Sequence, residues 1–276
     1  MGSPVDHQPP PLITLTTDFG RRDSYVAEIK GVLLEQAPGC QLVDVTHDLE
    51  RHDILAGGFV LACAAWRFPP RAVHLAVVDP GVGTDRRALV ARCDGRLFVA
   101  PDNGLLTAVF DRSRQVELWS IEAARLGLPP AHPTFHGRDL FAPVAARLAL
   151  GLDPAEVGPA VPDPRRVTPP PVRSRDGGLE TTVLHVDHFG NVILALRPEH
   201  LGGTLPTVLE TGPDRWVLEP ALTYGGADPG RVLALWGSAG YLEIALARDS
   251  AARRLGLTAG DRVRLLHGKT SGERHA

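Results

Sequence analysis

The first candidates for chemistry are two acidic residues that follow a strand-like run near the start of the chain. Asp18 and Asp23 come directly after the apolar, β-branched run 12–17. Open α/β sheets bind ligands where their strands end. A carboxylate there can accept both hydroxyls of a ribose, and without a GxGxxG phosphate turn a nucleoside fits better than a nucleotide. The alternative is that Asp18 or Asp23 only caps a helix that begins near Ser24.

A second candidate set takes an aspartate, an arginine and a histidine from separate loops. Asp79 follows the apolar run 72–78 and opens the turn 80–83, whose two glycines let Arg86 fold back toward it. His136 lies at the polar start of a predicted helix. Together, three such groups can orient a water molecule and stabilise hydroxide character in it. Taken singly, each motif also fits an ordinary turn, and a lone histidine is more often structural than catalytic.

The second half of the chain carries a third set of candidates on two turns. Asp187, Phe189 and Asn191 fall within five residues, and Ser238 and Tyr241 follow on a later turn. An aspartate, an amide and an aromatic ring at this spacing can hold an ammonium group, pair with an adenine edge and stack on a base. The alternative is a hairpin turn that binds nothing.

The pattern of apolar residues predicts an α/β protein with two domains. Strand-like and helical runs alternate between residues 12 and 150, which indicates βαβ units and a mostly parallel sheet with helices on both faces. The helical runs are 25–36, 54–66, 104–110 and 138–150, and Asp94-Gly95 marks a hairpin between strands. After a proline-rich stretch, short strands separated by Gly, Pro and Asp turns predict a small barrel or sandwich, with one helix at 250–255.

We therefore predict an N-terminal three-layer α/β domain and a C-terminal all-β barrel domain. The predicted boundaries are a disordered tail at 1–11, the α/β domain at 12–160, a Pro-rich linker at 161–178, the barrel at 179–268 and a tail at 269–276.

Composition excludes several classes of protein. With 43% hydrophobic and 22% charged residues among 276, the chain can bury a core and is not disordered. A net charge of -3 gives no basic field for nucleic acid. No apolar stretch reaches the ~18 residues of a membrane span, and three scattered cysteines without a CxxC motif predict free thiols in a reducing compartment. We expect a cytoplasmic protein without nucleic-acid or membrane partners.

Taken together, the motifs resemble one known family. TTDFG, YVAEIKGV, VVDPGVGTDRR, PDNGLL, TFHGRD, VDHFGN and SxGYLEIAL follow in this order across Leu12–Leu266. They are similar to motifs of the S-adenosyl-L-methionine (SAM) hydroxide adenosyltransferases, or SAM hydrolases, which are relatives of the fluorinase and chlorinase enzymes. The resemblance implies an α/β domain followed by a β-barrel, and a homotrimer whose active sites lie between the N-domain of one subunit and the C-domain of the next.

The resemblance also implies a reaction. In that family a water attacks C5′ of SAM and releases adenosine and L-methionine, so SAM is the substrate and neither a cofactor nor a metal is expected. An Asp-Arg-His set activates the water. By its position in the motifs, this set corresponds to Asp79, Arg86 and His136.

Substrate-binding residues follow from the same match. Asp18 matches the carboxylate that holds the ribose hydroxyls. Asp187 and Ser238 match positions at the methionine ammonium and carboxylate, and Phe189 and Asn191 match positions at the adenine. The full predicted set is Asp18, Asp23, Asp187, Phe189, Asn191, Ser238 and Tyr241.

Three alternatives stay open. The first is a SAM-dependent halogenase, but halide-using relatives lack the Asp-Arg-His set, and the fluorinase has an additional N-domain loop where this chain has a short turn. One departure concerns recognition of the methionine carboxylate: the fluorinase has an arginine after the serine where this chain has Ala239. The second is a protein that binds SAM or adenosine without turnover. The third is a metal-dependent hydrolase using His47, Asp48, His52 and Asp53, whose spacing matches no metal motif.

Overall fold

A computed structural model describes residues 10–266 of the chain and divides them into two compact units. The boundary between the units falls between Val167 and Thr168, within the stretch predicted as a linker at 161–178. Residues 1–9 of the predicted N-terminal tail and the whole predicted C-terminal tail at 269–276 lie outside the described residues.

The first unit is built on a six-stranded sheet in the order β2-β1-β3-β5-β4-β6. Its strands are β1 (Leu12–Thr17), β2 (Gln41–Thr46), β3 (Val73–Val77), β4 (Ala88–Cys93), β5 (Arg96–Pro101) and β6 (Val116–Ser120). Its helices are α1 (Tyr25–Gln36), α2 (Ile54–Ala65), α3 (Thr107–Arg112) and α4 (Ala142–Ala149). The strands β2, β1, β3 and β5 run parallel, whereas β4 is antiparallel to both of its neighbours.

Two buried clusters on opposite faces of this sheet make the unit three-layered. Leu75 and Val77 of β3 pack with residues of α1 and α4, while Ala76 packs with residues of α2 and α3. Every residue of β1 and β3 is buried, as expected for strands covered on both faces. The predicted three-layer α/β fold with a mostly parallel sheet is confirmed.

Helix starts and one edge strand differ from the prediction. Gly104 adopts a φ of +100°, which a helix cannot accommodate, so α3 begins at Thr107 rather than at 104. The helix predicted at 138–150 opens as a π-helical turn over Gly137–Phe141 before α4 begins. The edge strand β6 was not predicted, because its first residues are exposed and show no core-facing alternation.

The second unit is a nine-stranded sheet that closes into a near-barrel in the order β11-β10-β15-β8-β9-β14-β13-β12, with β7 beside β8. Its strands are β7 (Arg173–Arg175), β8 (Gly178–Val186), β9 (Val192–Leu194), β10 (Val208–Thr211), β11 (Asp214–Val217), β12 (Glu219–Pro220), β13 (Val232–Trp236), β14 (Leu242–Leu246) and β15 (Arg262–Leu266). One short helix, α5 (Ala251–Leu255), follows β14. The predicted all-β barrel is confirmed.

Within residues 10–266, none of the helices is both long enough and apolar enough to cross a membrane.

Candidate active site

The structure brings the predicted Asp-Arg-His set together in the first unit. Arg86 Nε donates to both carboxylate oxygens of Asp79, at 2.9 and 3.0 Å, and Arg86 Nη2 donates to Oδ2. Arg86 Nη2 also lies 3.0 Å from Nδ1 of His136. The Asp79 and Arg86 side chains are only 5% and 4% exposed, so this is a buried, charge-assisted ion pair with the imidazole at its edge.

Close packing of two loops makes this meeting possible. Gly83 follows Asp79 in a turn and has a φ of +79°. A Cβ on Gly83 would lie 2.5 Å from the carbonyl oxygen of Pro133, so only glycine lets the two loops approach this closely. Pro133 leads into His136, and the contact therefore fixes the histidine loop against the aspartate loop.

The hydrogen bond from Arg86 determines how His136 is protonated. A guanidinium has no acceptor, so Nδ1 of His136 accepts and the proton of the neutral ring is on Nε2. Burial lowers the pKa of His136, and the Arg86 charge lowers it further, which outweighs the opposite effects of Asp79 and Asp139. His136 is therefore a neutral imidazole that offers an Nε2–H group.

A cavity of about 450 Å³ opens onto Asp79 and His136. Its wall includes three aromatic rings packed edge to face: Phe19 and Tyr25 at 6.3 Å, Phe19 and Phe135 at 6.0 Å, and Tyr25 and Phe135 at 5.3 Å between centroids. The cavity is large enough for part of a small organic ligand. Tyr25 and Phe135 were not predicted as site residues, although they lie within the motifs YVAEIKGV and TFHGRD.

Asp18 and Asp23 line a second cavity of about 570 Å³ in the same unit, and Phe19 lines both. Asp18 Oδ2 accepts a hydrogen bond from the backbone N–H of His52 at 2.9 Å. The N-cap position of α1 is held by Ser24 and has no side-chain cap hydrogen bond, so Asp23 does not cap this helix. Both aspartates thus border space that a ligand can enter.

The second unit holds the remaining predicted residues on two turns. Asp187 closes its own turn: Oδ1 accepts from the backbone N–H groups of Phe189 and Asn191, and Oδ2 accepts from the Asn191 amide, each at 2.9 Å. Phe189 is 77% exposed at the tip of this turn. Ser238 is exposed between β13 and β14, and the Tyr241 hydroxyl accepts from Arg197 at 2.8 Å.

Glu243, a buried acidic residue of the second unit, was not predicted from the sequence. Glu243 lies in β14 and accepts a hydrogen bond from the hydroxyl of Tyr224. Burial raises the pKa of Glu243, and the Asp187 charge raises it further. A single acidic residue inside the otherwise apolar strand LEIAL was the signal that could have found it.

Residues of the metal-site alternative are used in other ways. His47 contacts Thr17 at 2.8 Å, Asp48 pairs with Arg21, and Asp53 caps α2 through the N–H of Ala56. Across the part of the chain that the structure describes, no three His, Cys, Asp or Glu side chains are grouped as metal ligands. The metal-dependent alternative therefore gains no support.

Comparison with known proteins gives a consistent match. A model of the SAM hydroxide adenosyltransferase N-terminal domain matches residues 13–158, and a model of the C-terminal domain of the same family matches residues 181–264. The (R)-S-adenosyl-L-methionine hydrolase of Salinispora tropica is 44% identical over 94% of this chain and 99% of its own. A fluorinase of Actinopolyspora mzabensis is 27% identical over 92% of this chain and 97% of its own.

A solved structure has the same fold. The crystal structure of an uncharacterized conserved protein from Thermotoga maritima superposes with a TM-score of 0.84 at 33% identity, over 92% of this chain and 99% of that one.

Proposed function

The chain belongs to the SAM hydroxide adenosyltransferase family, and on that premise we propose that it is an enzyme that hydrolyses SAM to adenosine and L-methionine. The observation that carries the proposal is the buried Asp79–Arg86–His136 set at the wall of a cavity that can hold part of a small organic ligand. The relative named as a SAM hydrolase is more similar to this chain than the fluorinase is.

The attack can be written from the atoms of this set. A water between His136 and Asp79 accepts from the Nε2–H group of His136 and donates one proton to Asp79 Oδ1, whose donor among the described residues is Arg86 Nε. The remaining lone pair of the water points to C5′. The O–C5′ bond forms, the C5′–S bond breaks with its electron pair left on sulfur, and one water proton passes through Asp79 to solvent.

Electrostatics favour this reaction in a dry site. The attacking oxygen carries developing negative character and SAM carries a sulfonium, so opposite charges cancel in the transition state and low dielectric lowers the barrier. The leaving group is a neutral thioether, which needs no general acid. Alignment of water, C5′ and sulfur supplies up to ~7–11 kcal/mol in favourable cases. The proposal includes no cofactor, because SAM is itself the substrate.

Substrate binding completes the proposal. Asp18 holds the ribose hydroxyls, with Asp23 at the same cavity, and the rings of Phe19, Tyr25 and Phe135 face the sulfonium as a cation–π wall. The other contacts come from the second unit of a neighbouring copy in a homotrimer. That unit supplies Asp187 and Ser238 for the methionine end, Phe189 and Asn191 for the adenine, and Tyr241 beside them. Sedimentation of the purified protein tests the trimer. We place the enzyme in the cytoplasm, where SAM is available, and fractionation of cells that produce it tests this location.

The test incubates the purified protein with SAM in ¹⁸O-labelled water, without and with chloride or fluoride, and identifies products by mass spectrometry. Adenosine carrying ¹⁸O in its 5′-hydroxyl, together with methionine, is the expected result. The yield should fall far more in His136→Ala than in His132→Ala, because His132 lines the same cavity but has no hydrogen bond with Arg86 among the described residues. A halide-dependent 5′-halo product would instead show a halogenase, and intact SAM retained by the protein would show a binding protein.

A further inference from the structure

His47 is a buried histidine that the proposed reaction does not use. It lies at the start of the loop between β2 and α2 and is only 2% exposed. Its Nδ1 atom is 2.8 Å from the hydroxyl of Thr17, and its Nε2 atom is 3.0 Å from Asp44 Oδ1. Asp44 in turn pairs through Oδ2 with Lys30 of α1 at 2.7 Å. A polar chain therefore runs from α1 to the end of β1.

One assignment of donors and acceptors fits the contacts of His47 with Thr17 and Asp44. Asp44 Oδ1 lies 3.0 Å from His47 Nε2 without the alignment of a hydrogen bond, but the nearby carboxylate charge favours a ring proton on Nε2 and leaves Nδ1 to accept from the Thr17 hydroxyl. The Thr17 oxygen is then free to accept from the backbone N–H of Phe19, at 3.4 Å. With these roles for Thr17 and His47, the contacts favour one arrangement of the turn after β1.

The contacts that begin at His47 reach residues on both sides of Asp18. Thr17 precedes Asp18 and Phe19 follows it, and the N–H group of Gly20 donates to the backbone carbonyl of His47 at 2.7 Å. The same loop returns at His52, whose N–H group donates to Asp18 Oδ2 at 2.9 Å. His52 has a φ of +66°, an uncommon conformation for a non-glycine residue, which the surrounding contacts must maintain. Among the described residues, Oδ1 of Asp18 receives no such hydrogen bond and is left for a ligand.

We propose that His47 is a positioning residue for Asp18. His47 sets the orientation of the Asp18 carboxylate, which binds the ribose hydroxyls, without itself contacting the ligand. This inference rests on the proposed function, in which Asp18 binds the ribose. Fixed carboxylate geometry favours a sugar with both hydroxyls over one without them, because a misdirected oxygen forms weaker hydrogen bonds.

A second buried threonine–histidine pair, which also uses strand β1, provides a matched control. Thr14 of β1 contacts His74 Nδ1 at 2.7 Å, and both side chains are fully buried. This pair has the chemistry of the Thr17–His47 pair, but it lies three residues away, about 10 Å along the strand from Thr17. Among the hydrogen bonds of residues 10–266, none joins Thr14 or His74 side chains to the turn that carries Asp18. Loss of either pair should affect stability, but only loss of the Thr17–His47 pair should affect ribose recognition.

The test measures the affinities of adenosine and 2′,3′-dideoxyadenosine by calorimetry, and kcat and KM for SAM. His47→Asn and Thr17→Val should lower the preference for adenosine by about 3- to 10-fold, the range for one hydrogen bond, and raise KM more than they lower kcat. Thr17→Ser, which keeps the hydroxyl, should retain the preference. His74→Gln and Thr14→Val should lower the melting temperature and leave the preference unchanged.

Two outcomes distinguish a failure of the ribose role of Asp18 from a failure of the positioning role of His47. If Asp18→Asn leaves the preference for adenosine unchanged, the proposed ribose role of Asp18 is wrong. If Asp18→Asn removes the preference while His47→Asn and Thr17→Val behave like the control pair, the ribose role stands and the positioning role of His47 is overturned.

Discussion

Replacing Arg86 with methionine should destabilise the first unit by about 3–5 kcal/mol, the cost of breaking a buried ion pair by removing one partner. Methionine keeps a long apolar side chain near the ring of Phe141, over which the guanidinium lies at 5.2 Å. It removes every hydrogen bond that Arg86 gives to Asp79 and to His136. SAM hydrolysis should be lost in the same variant.

The size of the effect comes from the charge that is left behind. The side chains of Asp79 and Arg86 are both at least nine-tenths buried, so water from the cavity can replace the lost donors at the Asp79 carboxylate only in part. Asp79→Asn combined with Arg86→Met removes that stranded charge. We therefore expect the double variant to recover most of the lost stability, to within about 1–2 kcal/mol of the native protein, while remaining inactive.

Urea unfolding followed by tryptophan fluorescence measures these differences. Trp66 and Trp119 lie in the first unit, and Trp216 and Trp236 lie in the second. In a background carrying Trp216→Phe and Trp236→Phe, the signal reports the first unit alone.

Arg21→Met is the matched control for this measurement. It breaks the exposed pair of Arg21 with Asp48 in the same unit. It should cost less than about 1 kcal/mol. The reasoning is refuted if Arg86→Met costs no more than Arg21→Met, or if the double variant is no more stable than Arg86→Met.

Two further predictions concern buried titratable groups. Burial, with a smaller contribution from the Arg96 charge, lowers the pKa of His74 to about 4. Between pH 4 and the ordinary histidine pKa, the unfolded protein therefore binds a proton at His74 that the folded protein does not bind. The free energy of unfolding should therefore fall by up to about 1.4 kcal/mol per pH unit as pH drops below the ordinary value, and His74→Gln should lose that part of the slope in urea titrations. Glu243 has the opposite sign: its raised pKa means that folding is favoured while the group is protonated, and that this contribution is lost as pH rises through the folded pKa. Glu243→Gln, which keeps an acceptor for Tyr224, should raise the melting temperature above neutral pH and not at pH 4, and an equal change at both pH values would contradict it.

The sequence alone determined most elements of both units, because the signals that set them are short in range. Continuous apolar runs identified the strands β1 and β3, which are buried on both faces. Asp94-Gly95 identified the hairpin between β4 and β5, and both residues adopt the positive φ that this turn requires. The chemistry of Asp79, Arg86 and His136 could also be stated from residue type and from their positions after predicted elements.

Tertiary structure alone decided which of these groups meet. His136 lies fifty positions after Arg86, and their contact depends on the approach of two loops at Gly83. Nothing in the sequence indicates that Thr17 pairs with His47 or that Tyr224 pairs with Glu243. A hydrophobic pattern fixes which face of an element is buried, whereas the partner of a buried polar atom depends on how distant segments pack against each other.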